Sequence, residues 1–276
     1  MSTRAGGVST GALASLNLGR SVGDAPEAVA ENRRRFVASL RVDANDDGDA
    51  VGNAAPSPAR AVWLHQVHGA DVLELDERTP EHPEASADAA WTRTPGIACV
   101  VGAADCLPVL FAARDGRAVA AAHAGWRGLA GGVLEATVNA LVRGAGARPA
   151  DLFAWLGPCI GPRRFEVGAD VLRAFGAAPT EADVEHFRYA PRPDGAPRWL
   201  ADLHGLARQR LRRLGVAFIV AEAACTYEEE SRFFSFRRDG QRTPRSLSGR
   251  MAAAIWLQAG SIVGLGGVGS APRGRR

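Results

Sequence analysis

Short apolar runs of strand character recur along almost the whole chain, broken at irregular intervals by segments of helical periodicity, and this alternation limits the fold more than any other feature. ARAVWLHQVHGADVLEL (59–75) reads as a strand pair or one long bent strand. GIACVVGAADCLPVLFAA (96–113) reads as two strands around a turn, and RAVAAAHAG (117–125) as a further strand. AFIVAEAAC (217–225) and RFFSFRRDG (232–240) read as later strands. Helical periodicity fits GGVLEATVNALVRGAG, VGADVLRAF and DLHGLARQRLRRLG, the last apolar at Leu203, Leu206, Leu211 and Leu214 with arginines opposite. Strands interrupted by helices, without a repeat period, predict a mixed α/β or α+β domain.

The 276 residues, 46% of them hydrophobic, suffice for one large core, and no domain-separating linker stands out. A single domain over 1–276 is therefore expected. Residues 43–60 (DANDDGDAVGNAAPSPAR) and 176–198 read as surface loops, and 270–276 as a flexible basic tail. DANDDGD is acidic like a calcium loop but lacks the glutamate at its twelfth position. GLGGVG (264–269) has no following helix and no βαβ unit, so it reads as a terminal turn, not a dinucleotide loop.

Composition excludes several chemistries. All 33 basic residues are arginine, which removes Schiff-base and pyridoxal chemistry and the lysine-bearing phosphate loop. The net charge of +3 is too small to argue for nucleic acid. No apolar run approaches the ~20 residues of a membrane span, and the N-terminus lacks a secretory core, so a cytoplasmic protein is expected. A monomer is the default for this size. The four cysteines form no CxxC and read as free thiols in a reducing compartment. GxSxG is absent, which sets a serine hydrolase aside.

His65 and His68 in WLHQVHGAD, Cys106 in VVGAADCLPVLF and His123 in AAHAGWRG share one setting: an apolar strand on one side and a turn on the other. Taken singly, each is more often a buried small hydrophobe or a hydrogen-bonded histidine. Together, Cys, His and His supply the three protein ligands of a zinc site that keeps a fourth position open. Residues three apart on a strand face opposite sides, so only one of His65 and His68 would ligate.

Residues from about 7 to 260 resemble the YfiH family, whose members carry the names multicopper polyphenol oxidase (laccase-like), purine nucleoside phosphorylase and peptidoglycan-editing factor. The resemblance rests on GVSTGALASLNLGRSVGDAPEAVAENRRRF, WLHQVHGADV, ADCLPVLF, HAGWRG, LGPCIGPRRFEVGADV, CTYEEESRFFSFRRDG and SGRMAAAIWL, in that order. It implies a layered α/β/β/α domain with mixed sheets. It also implies metal ligation by His68, Cys106 and His123, with His65 structural or supporting. The activities implied are phosphorolysis of adenosine, inosine and methylthioadenosine, together with adenosine deamination. After FFSFRRDG the chain departs from the family, carrying GQRTPRSLSGR in place of a compact Gly-Thr-Gly-Arg turn.

On this reading zinc would lower the pKa of water towards ~7, with copper an alternative occupant of the same N/S donors. Asp105 and Glu166 are acid/base candidates. Arg20, Arg127 and Arg237 are candidates for phosphate, because a guanidinium grips it bidentately. Gly125 would allow a tight turn, and a helix from Gly128 would offer its amides to an anion. A multicopper oxidase is disfavoured, since six scattered histidines without an HxH pair supply too few imidazoles. Two rivals remain: a metal-free cysteine hydrolase with Cys106 as nucleophile and His123 as base, suited to editing a cell-wall precursor, and a metal-stabilised binding protein.

Overall fold

A computed structural model describes residues 1–40, 60–242 and 247–258. The short strand β1 (Arg60–Trp63) runs parallel to β4 (Ile97–Ala103), which pairs antiparallel with β12 (Met251–Trp256) to complete a three-stranded sheet. A six-stranded mixed sheet lies against it, in the order β11 (Phe218–Ala221), β7 (Leu152–Leu156), β5 (Leu107–Ala113), β6 (Val119–Ala124), β3 (Ala89–Thr92), β2 (Val72–Glu74).

The apolar run of β4 is explained by its two buried faces, as expected for a strand sandwiched between layers. Ala98 and Val100 pack with Phe36 of helix α1 (Pro26–Ser39) and with Leu40 at its C-cap, whereas Ile97, Cys99 and Val101 meet Ala90, Ala121 and Ala253 between the sheets. The far face of the six-stranded sheet is covered by α3 (Val133–Ala145) and α5 (Leu203–Arg213). In α3, Val133, Leu134, Thr137, Val138 and Leu141 are buried at the spacing of one helical face. Each such apolar side chain contributes roughly 1.5–3 kcal/mol by leaving water. The Asp202 carboxylate caps α5 by accepting from the Gly205 amide at 3.0 Å. The layers therefore run α/β/β/α, as the resemblance implies.

A third sheet joins β8 (Glu166–Val167), β10 (Trp199–Ala201) and β9 (Phe187–Tyr189). It corrects the reading of 176–198 as a loop throughout: Phe187 is buried and pairs with Ala201, so the proline-rich excursion anchors a short strand. Within 43–60, Arg60 opens β1. Residues 43–59, the 270–276 tail and GLGGVG lie outside the described residues.

RFFSFRRDG is not a strand. Phe233 and Phe234 are buried, but Ser235 then accepts from the Arg238 amide at 3.2 Å and starts helix α6 (Phe236–Arg242), a cap that the aromatic run conceals. The helix of HAGWRG, α2 (Trp126–Gly131), begins two residues before Gly128 and is six residues long. It ends at Gly132, whose φ of +94° needs glycine, and the chain restarts at once as α3. The two strands of GIACVVGAADCLPVLFAA, β4 and β5, belong to different sheets, so the turn between them crosses from one layer to the other.

Candidate metal centre and its cavity

The crossing turn, the end of β6 and the loop after β1 meet at one edge of the paired sheets. Cys106 directly precedes β5, and His123 is the penultimate residue of β6, across the ladder from Pro108. Period-2 alternation puts His123 on the face of Ala121, towards the other sheet. His68 stands on the loop from 64 to 71 with φ +62°, and Asp105, beside Cys106, has φ +84°. Left-handed backbone at residues other than glycine is held only where surroundings dictate it, at roughly 1–3 kcal/mol each, and such residues cluster at functional sites.

One ligand atom from each of His68, Cys106 and His123 lies within 4.8 Å of the other two. His68 Nε2 is 3.8 Å from Cys106 Sγ, and the imidazoles meet edge to face with centroids 4.8 Å apart. Gly125 leaves room for this approach. A Cβ there would fall 2.8 Å from His68 Cδ2 and 2.9 Å from Cys106 Sγ.

Asp88, fully buried just before β3, organises the cluster. Its Oδ1 accepts from His123 Nδ1 at 2.8 Å and from the His68 amide at 2.9 Å, while Oδ2 accepts from the amides of Val67 (3.0 Å) and Gly69 (2.7 Å). Burial alone would raise this carboxyl, but the His123 bond and the two amides outweigh it and hold it below the usual range. An ionised carboxylate can only accept, so Nδ1 of His123 carries a proton, and Nε2 is the nitrogen turned towards Cys106 that could give up its proton to a metal.

Burial opposes the thiolate of Cys106, yet the charge and hydrogen bond of His123, followed by His68, bring the thiol down to about 6. The same pairing, reinforced by Asp88, lifts His123 against its burial. Thiolate and imidazoles in this arrangement could hold a metal ion, and they are donor types that both zinc and copper accept. His65 instead bonds Ser86 at 3.2 Å through Nδ1, outside the cluster.

Asp105 is no free acid/base group. Its buried carboxylate accepts from Thr226 Oγ1 (2.7 Å), Ser235 Oγ (3.0 Å) and the Arg237 amide (2.7 Å), which fixes the chain beside Cys106. Glu166 pairs with Arg192 and Arg198 in a separate cleft.

A cavity of about 520 Å³ opens on His68, Cys106 and His123, a volume within the usual range for small-molecule sites. Of the three predicted arginines, Arg20 lines it. Arg127 is exposed with its guanidinium over the Trp126 ring at 4.4 Å, and Arg237 reaches the Glu166 carbonyl in the separate cleft. Sequence reasoning missed Asp88, Arg33, His82 and Gln66, and assigned no role to Arg250, which lines the cavity. Gln66 bonds both the amide and the carbonyl of Gly102 and so ties the His68 loop to β4. Nothing in NRRRF distinguishes Arg33 from Arg34 and Arg35; only the helix orientation does.

The fold and site define a layered α/β/β/α protein with a His–Cys–His centre at a sheet edge. The chain belongs to the YfiH family: residues 1–258 match the sequence family described as multi-copper polyphenol oxidoreductase laccase. It is 48% identical over 258 residues to purine nucleoside phosphorylase YfiH of Escherichia coli K12, covering 93% of this chain and 92% of that one. Among solved structures, Neisseria meningitidis NMB0706 is 42% identical with a TM-score of 0.75, covering 93% of this chain and 92% of that chain. A Bacillus licheniformis hypothetical protein YfiH is 28% identical with a TM-score of 0.77, covering 93% and 91%.

Proposed function

We propose that this protein is a zinc-dependent purine nucleoside phosphorylase that acts on adenosine, inosine and methylthioadenosine and also deaminates adenosine. The observation that carries the reading is the His68–Cys106–His123 cluster, oriented by Asp88 and opening on a cavity of nucleoside size. The 48% identity to the purine nucleoside phosphorylase YfiH of Escherichia coli supports the phosphorylase half. When bound, zinc would supply a Lewis acid that makes water nucleophilic near neutral pH.

The chain's own residues do the rest. His68, Cys106 and His123 hold the ion. Asp88 keeps the His123 proton on Nδ1 and pins the His68 loop through three backbone amides. In phosphorolysis a phosphate oxygen bonds to the ribose C1′ while the glycosidic bond breaks, its electron pair leaving on the purine, which takes up a proton. Cationic side chains lining the cavity suit the incoming dianion. In deamination, water adds to C6 of adenosine and ammonia leaves, giving inosine.

The test is product analysis of adenosine with and without phosphate. Adenine and ribose 1-phosphate should form only with phosphate, and inosine in either case. A cysteine-hydrolase reading draws on the lowered Cys106 thiol beside His123. It requires activity that survives chelation and dies with a thiol reagent, whereas the zinc reading requires loss under both treatments. Copper fits the same donors, but multicopper oxidation needs further copper centres, and among the described residues this cluster is the one group of three or more such ligands that could hold a metal.

A further inference from the structure

One wall of the cavity beside the metal centre is lined by basic side chains. Arg20, Arg33, His82 and Arg250 line it, and among the described residues no Asp or Glu does. Arg33 stands on α1, where its neighbours Arg34 and Arg35 both pair with Glu31. It turns inward instead. Its guanidinium covers the Trp63 ring at 3.9 Å and its Nε donates to the Leu18 carbonyl at 2.9 Å, but its buried Nη1 has no partner.

An unpartnered donor is costly, and more so on a charged group, so Arg33 presents to the cavity a guanidinium whose bonding within the chain is incomplete. Crowding points the same way. Burial, and then the charge of Arg20, lowers Arg33 to about 10; burial, and then the charges of Arg20 and Arg33, lower His82 too, with Glu81 acting against them. The like charges of Arg20 and Arg33 repel each other, and an anion between them relieves that repulsion. Arg250 is held from behind, its Nη1 donating to the carbonyls of Ser248 and Gly249.

We propose that Arg33, together with Arg20 and His82, forms an oxyanion subsite of this cavity and that its ligand is inorganic phosphate. The choice of phosphate rests on the phosphorylase reading; the subsite itself rests on the side chains. The Arg33 guanidinium is already oriented by its stacking on Trp63, and the exposed Arg20 adds a second cation to the same wall.

The test is calorimetric titration of inorganic phosphate into the full-length protein as purified. It compares wild type, Arg33→Met, Arg20→Met and the exposed surface control Arg148→Met. Methionine keeps an apolar stem over Trp63, and thermal melts report whether the fold is retained. Phosphate affinity should fall about tenfold or more in Arg33→Met, fall less in Arg20→Met, and be unchanged in Arg148→Met. If Arg33→Met does not fold, the loss in exposed Arg20→Met decides.

Wild-type affinity in both cavity variants overturns the proposal, as does a wild type that binds adenosine monophosphate but not inorganic phosphate. The two readings fail separately. Phosphate binding through Arg33 without adenosine phosphorolysis would sink the phosphorylase and leave the subsite standing. Phosphorolysis with an unchanged phosphate KM in both variants would do the reverse.

Discussion

Replacing Asp88 with asparagine changes one oxygen to an amide nitrogen at nearly constant volume. The carboxylate accepts four bonds, two at each oxygen: His123 Nδ1 and the His68 amide on Oδ1, the Val67 and Gly69 amides on Oδ2. Whichever way the new side chain turns, two of these donors face its NH₂ group. Each buried donor left unpaired costs about 1–3 kcal/mol, so Asp88→Asn should destabilise by at least ~2 kcal/mol and lower Tm by about 4–8 °C. The metal centre should suffer separately, because His68 and His123 lose the group that orients them. Losing such an outer partner typically weakens metal affinity 10–100-fold. Competition against a chromophoric zinc chelator measures this on folded protein at a temperature well below either Tm. Wild-type zinc affinity in Asp88→Asn would refute the claim that this carboxylate sets the centre, whatever happened to Tm.

Gly125→Ala should weaken zinc binding while the melt stays cooperative, because the added methyl enters the space of His68 Cδ2 and Cys106 Sγ; chelator competition and calorimetry check both halves. In metal-stripped protein, the lowered Cys106 thiol is in its reactive thiolate form above about pH 6, so iodoacetamide alkylation should lose rate only as pH falls through that value. An alkylation midpoint near the ordinary thiol value of ~8.5 would contradict the assigned His123 partnership. His65→Ala should leave zinc content unchanged by elemental analysis, since His65 bonds Ser86 rather than the cluster. Leu141→Ala, at the α3 interface with the large sheet, should cost about 2–5 kcal/mol in denaturant unfolding with no change in zinc per chain.

The residues visible from sequence are those whose chemistry is local. His68, Cys106 and His123 follow from family-like motifs at strand ends, and the strands that flank Cys106 and carry His123 follow from unbroken apolar runs. Asp88 lies in an unremarkable ASADAA stretch, and its function comes from three amides of a loop some twenty residues upstream and an imidazole thirty-five downstream. Pairing at that range leaves no periodic trace. No helical periodicity is read at α1, although its Phe36, with Leu40 at its C-cap, packs against the small sheet. The placing of RFFSFRRDG as a strand failed for the opposite reason: aromatic residues signalled a strand where a serine cap starts a helix. The arginines divided by tertiary placement alone, Arg20 on the cavity, Arg127 on the surface and Arg237 behind Asp105.

The most direct measurement is metal content by elemental analysis on wild type and Cys106→Ala, with adenosine plus phosphate assayed on the same samples. The account predicts about one zinc per chain in the wild type, lost in the variant together with the formation of adenine and inosine. A wild type that carries no metal yet turns adenosine over at full rate, or a Cys106→Ala protein that keeps both zinc and activity, would contradict it.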